Sequence, residues 1–181
     1  HSAAMLSLLC GFLSVPALGY LALYSFTKRF TQWSHLVLGG GLAMAPVGAE
    51  LAVLGTVSIH TQALAAAVVF WVAGFDIFYA CQDIEFARRA GLFSVPARVG
   101  QKAALRLAGA FHAAAFLLFL LFGHLANLEK IFMPAQIAVA GLLVYEQVLA
   151  RKNKIGPAFF QLNGILSLVQ LGAVAVEVSL R

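Results

Sequence analysis

The chain has 181 residues, of which 62% are hydrophobic and 10% are charged, and its formal net charge is +5. A soluble domain carries about 25% charged residues, so this composition does not fit a soluble protein and predicts several membrane spans. Positive charge favours nucleic acid as a partner of a soluble protein. Here the basic residues cluster between apolar runs, which indicates membrane topology and anionic headgroups or substrates instead.

Six apolar segments can be recognised, each close to the roughly 20 residues that a helix needs to cross a bilayer. No alternation of period two is present, and only helices or closed barrels satisfy the backbone in lipid, so all six are predicted to be helices. The sequence therefore predicts an all-α, polytopic bundle forming a single transmembrane domain. The segments run over 3–26, 35–57, 62–82, 103–123, 131–149 and 158–179.

Basic residues follow the first, third and fifth segments, where ten of the twelve Lys and Arg residues lie. The positive-inside rule places these three connections in the cytoplasm. With six spans, both termini would then lie outside, although no cleavable signal sequence is evident. An odd number of preceding helices would restore a cytoplasmic start, and the sequence begins with His1. We therefore expect this chain to be a fragment that lacks N-terminal helices.

The stretch from Asp76 to Gly100 carries the strongest functional signal. Asp76, Tyr79 and Asp83 have the spacing i, i+3, i+7, which predicts one shared helix face. The simpler alternative is a membrane helix that ends in a solvated charged loop, in which Asp83 merely faces water. That alternative does not explain Asp76, because a lipid-facing carboxylate there would cost about 2.5–3.5 kcal/mol. Five basic residues follow within reach: Arg88, Arg89, Arg98, Lys102 and Arg106. Carboxylates that could bind a divalent metal lie here beside cations that could bind phosphate. This combination predicts a diphosphate site at the membrane surface.

A second motif, YSFTKRFT, occupies residues 24–31. Taken alone, Lys28 and Arg29 are best interpreted as a charge pair that stops transfer and fixes topology. They lie, however, on the same predicted membrane side as Asp83. There the two cations could bind phosphate oxygens.

Together these residues resemble the UbiA superfamily of intramembrane prenyltransferases. The run YACQD…GLFSVPARVG is similar to the second acidic motif of the 4-hydroxybenzoate polyprenyltransferase branch, and YSFTKRFT with APVGA at 45–49 matches the elements that precede it. The resemblance implies nine helices around a central cavity, with Mg²⁺ and a polyprenyl diphosphate bound by two Asp-rich motifs. It implies prenyl transfer to an aromatic acceptor such as 4-hydroxybenzoate or a naphthoate, in quinone biosynthesis. A bacterial inner membrane is the implied location.

The resemblance also implies roles for individual residues. Asp83 would bind the metal, and Asp76 would bind the metal or orient the acceptor. Tyr79 matches the tyrosine of the motif and would act at the catalytic centre. Lys28 and Arg29 match the basic pair that would contact the diphosphate, and Tyr24, which begins the same motif, would contact it as well.

Two departures from the family pattern favour other interpretations. Ala87 stands where the family has a further aspartate, and the first Asp-rich motif is missing, so the six spans would correspond to the fourth to ninth family helices. A truncated, inactive remnant or pseudoenzyme is therefore the first alternative. A membrane transporter is the second, although no inverted repeat is visible between 1–90 and 91–181.

The remaining polar positions are interpreted more simply. His112 is predicted to hydrogen-bond inside the bundle, and His35 to lie near an interface without belonging to a ligand cluster. Glu146 and Gln147 either reach the cavity or neutralise Arg151. Cys10 and Cys81 both lie in apolar segments without metal-ligand spacing, and their thiols are predicted to be free and buried.

Overall fold

A computed structural model describes residues 8–152 and 157–181, and throughout these residues the regular structure is helical. Its elements are α1 (Leu8–Thr27), α2 (Ser34–Leu54), α3 (Ile59–Ala80), α4 (Ile84–Arg89), α5 (Val95–Val99), α6 (Gln101–Leu125), α7 (Phe132–Arg151) and α8 (Pro157–Ser179). The all-α prediction is confirmed.

The predicted spans correspond to the six long helices, with ends that differ by a few residues. Five of them are long and apolar enough to cross a membrane: α2, α3, α6, α7 and α8. In α1, the apolar helical part covers residues 11–27 and is shorter. The protein is thus an integral membrane protein, while the count of six spans stays a prediction. The predictions for residues 3–7 and for Lys154 fall outside the described residues.

The basic stretch after α3 is not the simple loop that the sequence predicted, because it contains α4 and α5. The Ser94 hydroxyl accepts a hydrogen bond from the Ala97 N–H, and a proline follows in the first turn of α5. A serine cap followed by proline is a common helix start. Gly91, with φ of 64°, provides the left-handed residue that ends α4.

The long helices pack mainly against their neighbours in sequence, and α3 lies between α2 and α6. Near the end of α3, a core cluster joins Ile77 and Phe78 to Ala104 and Ala108 of α6. At the opposite end, another cluster joins α3, α6, α7 and α8. The two clusters fix both ends of the α3–α6 pair, which carries most of the residues discussed below.

Two glutamates satisfy backbone groups at the end of the bundle opposite α4 and α5. The Glu177 carboxylate, on α8, accepts hydrogen bonds from the N–H groups of residues 130–132 at 2.8–3.0 Å. Glu50 accepts from the Ser58 N–H at 2.9 Å and so joins the end of α2 to the start of α3. Free N–H groups at a helix start need such acceptors, and Glu50 is therefore a structural residue near the interface.

The contact between α2 and α3 depends on a glycine. A Cβ atom at Gly39 would overlap the backbone carbonyl oxygen of Val69. By contrast, a Cβ at Gly48, on the same helix, would meet nothing within 4 Å. Small residues at such positions allow membrane helices to approach closely.

Gly39→Ala should therefore destabilise the fold by about 1–3 kcal/mol, the usual cost of overpacking. Gly48→Ala is the matched control, and it should be neutral or stabilising because alanine favours helix over glycine by about 1 kcal/mol. Thermal unfolding of both variants in one detergent measures the difference. Equal unfolding temperatures for the two variants would contradict the close approach of α2 and α3.

Candidate functional site

Two connecting segments meet at the end of the bundle where α1 and α3 end. The Phe93 N–H, in the α4–α5 connection, donates to the Lys28 carbonyl oxygen at 2.7 Å. The Val95 N–H donates to Nε2 of His35 at 3.4 Å. The structure thereby joins the basic connection 28–33 to the stretch 81–100, which the sequence analysis had assigned to one site.

Asp76 lies in the last turns of α3 and contacts α2. Its Oδ2 atom is 2.6 Å from Nδ1 of His35, and the two side chains are 13% and 1% exposed. Because the Val95 N–H occupies Nε2, the proton of a neutral imidazole must be on Nδ1, which donates to Asp76. Sequence reasoning missed this role of His35. The available signal was its position, just after the basic connection and on the same predicted side as Asp76.

The two predicted tyrosines face different neighbours. Tyr24, on α1, is half-buried and lies within electrostatic reach of Asp76. Tyr79, on α3, lies within electrostatic reach of Glu146 on α7. The nearest charged group is therefore different for the two tyrosines: Asp76 for Tyr24 and Glu146 for Tyr79.

Asp83 does not share a helix face with Asp76, and that prediction is wrong. Helix α3 ends at Ala80, and Asp83 follows in the turn before α4. Its side chain is exposed and makes no capping hydrogen bond. The carboxylate is consequently open to a ligand or a cation from outside the bundle.

The residues around Asp83 have different environments. Ala87 is only 6% exposed, so the position that carries an aspartate in the family points into the protein. Glu85 is exposed and lies 3.6 Å from the Arg88 guanidinium. Cys81 is buried as predicted, and burial raises the pKa of its thiol to about 11, which disfavours the reactive thiolate. The side chain of Cys10 lies outside the described residues.

The cations of this region remain largely accessible. Lys28 is half-buried, and the exposed Arg29 lies over the ring of Phe26, 5.7 Å from its centroid. Arg88 donates through Nε to the Ala97 carbonyl oxygen at 3.0 Å and so links α4 to α5. Four other basic residues are exposed: Arg89, Arg98, Lys102 and Arg106. The predicted cations thus precede and follow the acidic residues along the chain, and among the described residues none of them forms an ion pair with Asp76 or Asp83.

Side chains of residues 8–152 and 157–181 alone do not form a metal site. Among the described residues, no group of three or more His, Cys, Asp or Glu side chains is arranged to hold a metal ion. Mg²⁺, however, is commonly bound through one or two carboxylates together with substrate phosphates. An exposed Asp83 fits that second kind of site.

The more distant polar residues lie inside the bundle. His112 is 4% exposed, as expected for a residue inside the bundle. Glu146 is fully buried, with Oε2 at 3.9 Å from Nδ1 of His112, while Arg151 is exposed. Glu146 therefore lies inside the bundle and does not neutralise Arg151.

Comparison with known proteins agrees with this arrangement. The model of the UbiA prenyltransferase family matches residues 2–165. The 4-hydroxybenzoate octaprenyltransferase of Shewanella halifaxensis is 32% identical over 81% of this chain and 51% of its own length. That of Xanthomonas campestris pv. campestris (strain B100) is 33% identical over 93% of this chain and 56% of its own length. The chain thus spans about half the length of the curated relatives it matches.

A solved structure is also similar. The apo structure of a UbiA homolog from Aeropyrum pernix K1 matches with a TM-score of 0.88 at 31% identity, over 98% of this chain and 67% of the other. The family match covers most of the sequence, and the structural match extends to nearly all of it. The chain therefore belongs to the UbiA prenyltransferase family.

Proposed function

We propose that the protein transfers a polyprenyl group from polyprenyl diphosphate to an aromatic acceptor, such as 4-hydroxybenzoate or a naphthoate, in quinone biosynthesis. The observation that carries this proposal is the joining of the connection bearing Lys28 to the acidic segment bearing Asp83, through the Phe93–Lys28 hydrogen bond. The relatives named 4-hydroxybenzoate octaprenyltransferase support the same activity. We place the protein in a bacterial inner membrane, with these connections on the cytoplasmic side.

The exposed residues of the site would bind the diphosphate. Asp83 would hold Mg²⁺, which when bound neutralises charge on the leaving diphosphate. Lys28 and Arg29 would contact phosphate oxygens, and as charged donors they would stabilise the charge that develops there. Tyr24 adds a hydroxyl on the same side of the site.

The buried residues would act on the acceptor side. His35 engages one oxygen of Asp76, and the carboxylate thereby has a fixed orientation toward the metal or the acceptor. Tyr79 follows Asp76 by one turn, at the position of the family's tyrosine. Burial at this depth also keeps water away from an allylic cation.

An apolar cavity of about 640 Å³ supports a lipophilic substrate. It lies among α1, α2 and α3, with Ala17, Gly40 and Val69 in its lining. Val69 precedes Asp76 by seven residues and so lies on the same face of α3. A prenyl chain in this cavity would extend along α3 toward the site.

The decisive assay measures prenyl transfer in membranes that contain the protein expressed from its own locus, with a matched no-protein control. Product formation above the control would exclude an inactive remnant. Substrate flux in proteoliposomes that needs no metal and is unaffected by Asp83→Asn would instead favour a transporter.

Asp83→Asn should lower prenyl transfer by at least ~10- to 100-fold, since even the loss of a group that supports a metal ligand has an effect of that size. Glu85→Gln is the matched control: it removes an exposed carboxylate two residues away and should leave the rate unchanged. Initial rates over a Mg²⁺ titration measure both. Equal rates for the wild type and Asp83→Asn would refute the assignment of Asp83.

His35→Ala should lower the turnover number by ~10- to 100-fold, because a hydrogen bond to a charged group contributes about 1.5–3 kcal/mol. His35→Asn should recover much of the rate, since its amide can place an N–H donor near the position of Nδ1. The KM for the prenyl diphosphate should change little, as His35 contacts Asp76 and not the exposed cations.

Thermal unfolding of both His35 variants serves as the control for folding. If His35→Asn and His35→Ala had the same stability and the same low turnover number, the hydrogen bond donated to Asp76 would not be the cause of the lost rate. A large rise in KM with an unchanged turnover number would place His35 with the diphosphate and contradict its positioning role.

A further inference from the structure

A second polar cluster lies between α6 and α7, away from the two connections. It comprises His112, Glu146 and the half-buried Gln147. Both carboxylate oxygens of Glu146 and Oε1 of Gln147 are buried without a hydrogen-bond partner among the described residues, and the ring nitrogens of His112 have none beyond a weak contact with the Trp71 main chain. The 3.9 Å between Nδ1 of His112 and Oε2 of Glu146 exceeds hydrogen-bonding distance. Buried polar atoms are almost always paired, so this group is exceptional.

The imidazole of His112 is held in place by α3. The ring packs edge-on against Phe78, with centroids 5.2 Å apart and planes at 89°. It also occupies the space beside Gly74, where a Cβ atom would overlap the ring. The main chain of Trp71 lies near the ring as well. Gly74 thus leaves space for the imidazole ring. Packing alone would be satisfied by an apolar side chain at position 112, so the polar ring calls for a further explanation.

The cluster borders a cavity of about 220 Å³ between the two helices. His112 and Gln147 provide its polar lining, Gly109, Ala113 and Ala140 keep it open, and Phe116 adds an aromatic wall. Gln147 donates through Nε2 to the Leu105 carbonyl oxygen at 2.8 Å, so its orientation is fixed. The unpaired atoms therefore adjoin a space that a ligand could occupy.

We propose that this cavity binds a neutral phenol, with the ring among the apolar residues and the hydroxyl at His112 and Gln147. A cavity of about 150 Å³ accommodates benzene, and a water takes about 30 Å³, so the volume suits one substituted ring. Acceptors predominate in the lining, and a phenolic O–H supplies the missing donor.

Charge excludes an anionic ligand from this cavity. No lysine or arginine is among its lining residues. A carboxylate on the ligand would meet the Gln147 oxygen, with the Glu146 carboxyl group behind His112. The site therefore differs in ligand class from a site for a benzoate acceptor, and its test does not depend on prenyl transfer.

The test measures, by calorimetry, the binding of 4-methylphenol to the purified chain in nanodiscs. Toluene, which has the same ring without the hydroxyl, should bind ~10-fold more weakly, as expected for the loss of about one hydrogen bond. 4-Hydroxybenzoate, which is anionic at pH 7, should not compete. Empty nanodiscs correct for partition into lipid.

Two variants locate the site. Ala140→Phe fills the cavity and should reduce the affinity for 4-methylphenol by at least ~10-fold, as should Gln147→Leu, which removes the fixed acceptor. Gly141→Phe is the matched control for bulk, because a Cβ atom at the exposed Gly141 meets nothing within 4 Å. It should bind 4-methylphenol like the wild type.

Several results would overturn the proposal. Equal affinities for toluene and 4-methylphenol would show an apolar cavity without a polar function. Absence of saturable binding would leave water as the occupant, and displacement of 4-methylphenol by 4-hydroxybenzoate or benzylamine would show that the cavity takes a charged ligand. If Ala140→Phe unfolded, the comparison of toluene with 4-methylphenol on the wild type would still decide between these outcomes.

Discussion

The hydrogen bond between Asp76 and His35 is the constraint on which this end of the bundle depends. A carboxylate in the last turns of a membrane helix is costly unless it is paired. His35 supplies the donor from the start of α2, and its second nitrogen accepts from the start of α5. One imidazole therefore connects α2, α3 and α5, and any ligand that contacts Asp76 does so in a geometry set by three helices.

The acidic residues of the long helices show how unusual Glu146 is. Glu50 and Glu177 accept backbone hydrogen bonds near the starts of α3 and α7, and Asp76 accepts from His35. Glu146 has no such partner among the described residues, although it is fully buried. The first two glutamates thus have a structural explanation that Glu146 lacks. The unpaired Glu146 lies beside His112, which together with Gln147 forms the polar lining of the α6–α7 cavity.

Hydropathy predicted the helices well because the bilayer fixes both their length and their composition. The positions of the long helices and the buried thiol of Cys81 followed from residue type and spacing. The helix face shared by Asp76 and Asp83 did not, since spacing cannot show that α3 ends at Ala80. His35 was missed for a related reason: its role depends on a contact across 41 residues, which periodicity along one helix does not reveal.

The substitution at Ala87 has a different meaning once its burial is known. Asp83 faces outward, whereas Ala87 is buried on the inner side of α4, and its backbone accepts from the Leu92 N–H. A carboxylate at 87 would have to be held inside this tight turn, where it would need a cation or a donor to offset desolvation. With alanine there, that need disappears, and Asp83 remains an exposed carboxylate of the segment that makes no ion pair among the described residues, unlike Glu85. The departure from the family pattern therefore concentrates the proposed metal chemistry on one side chain without disturbing the packing that joins the two connections.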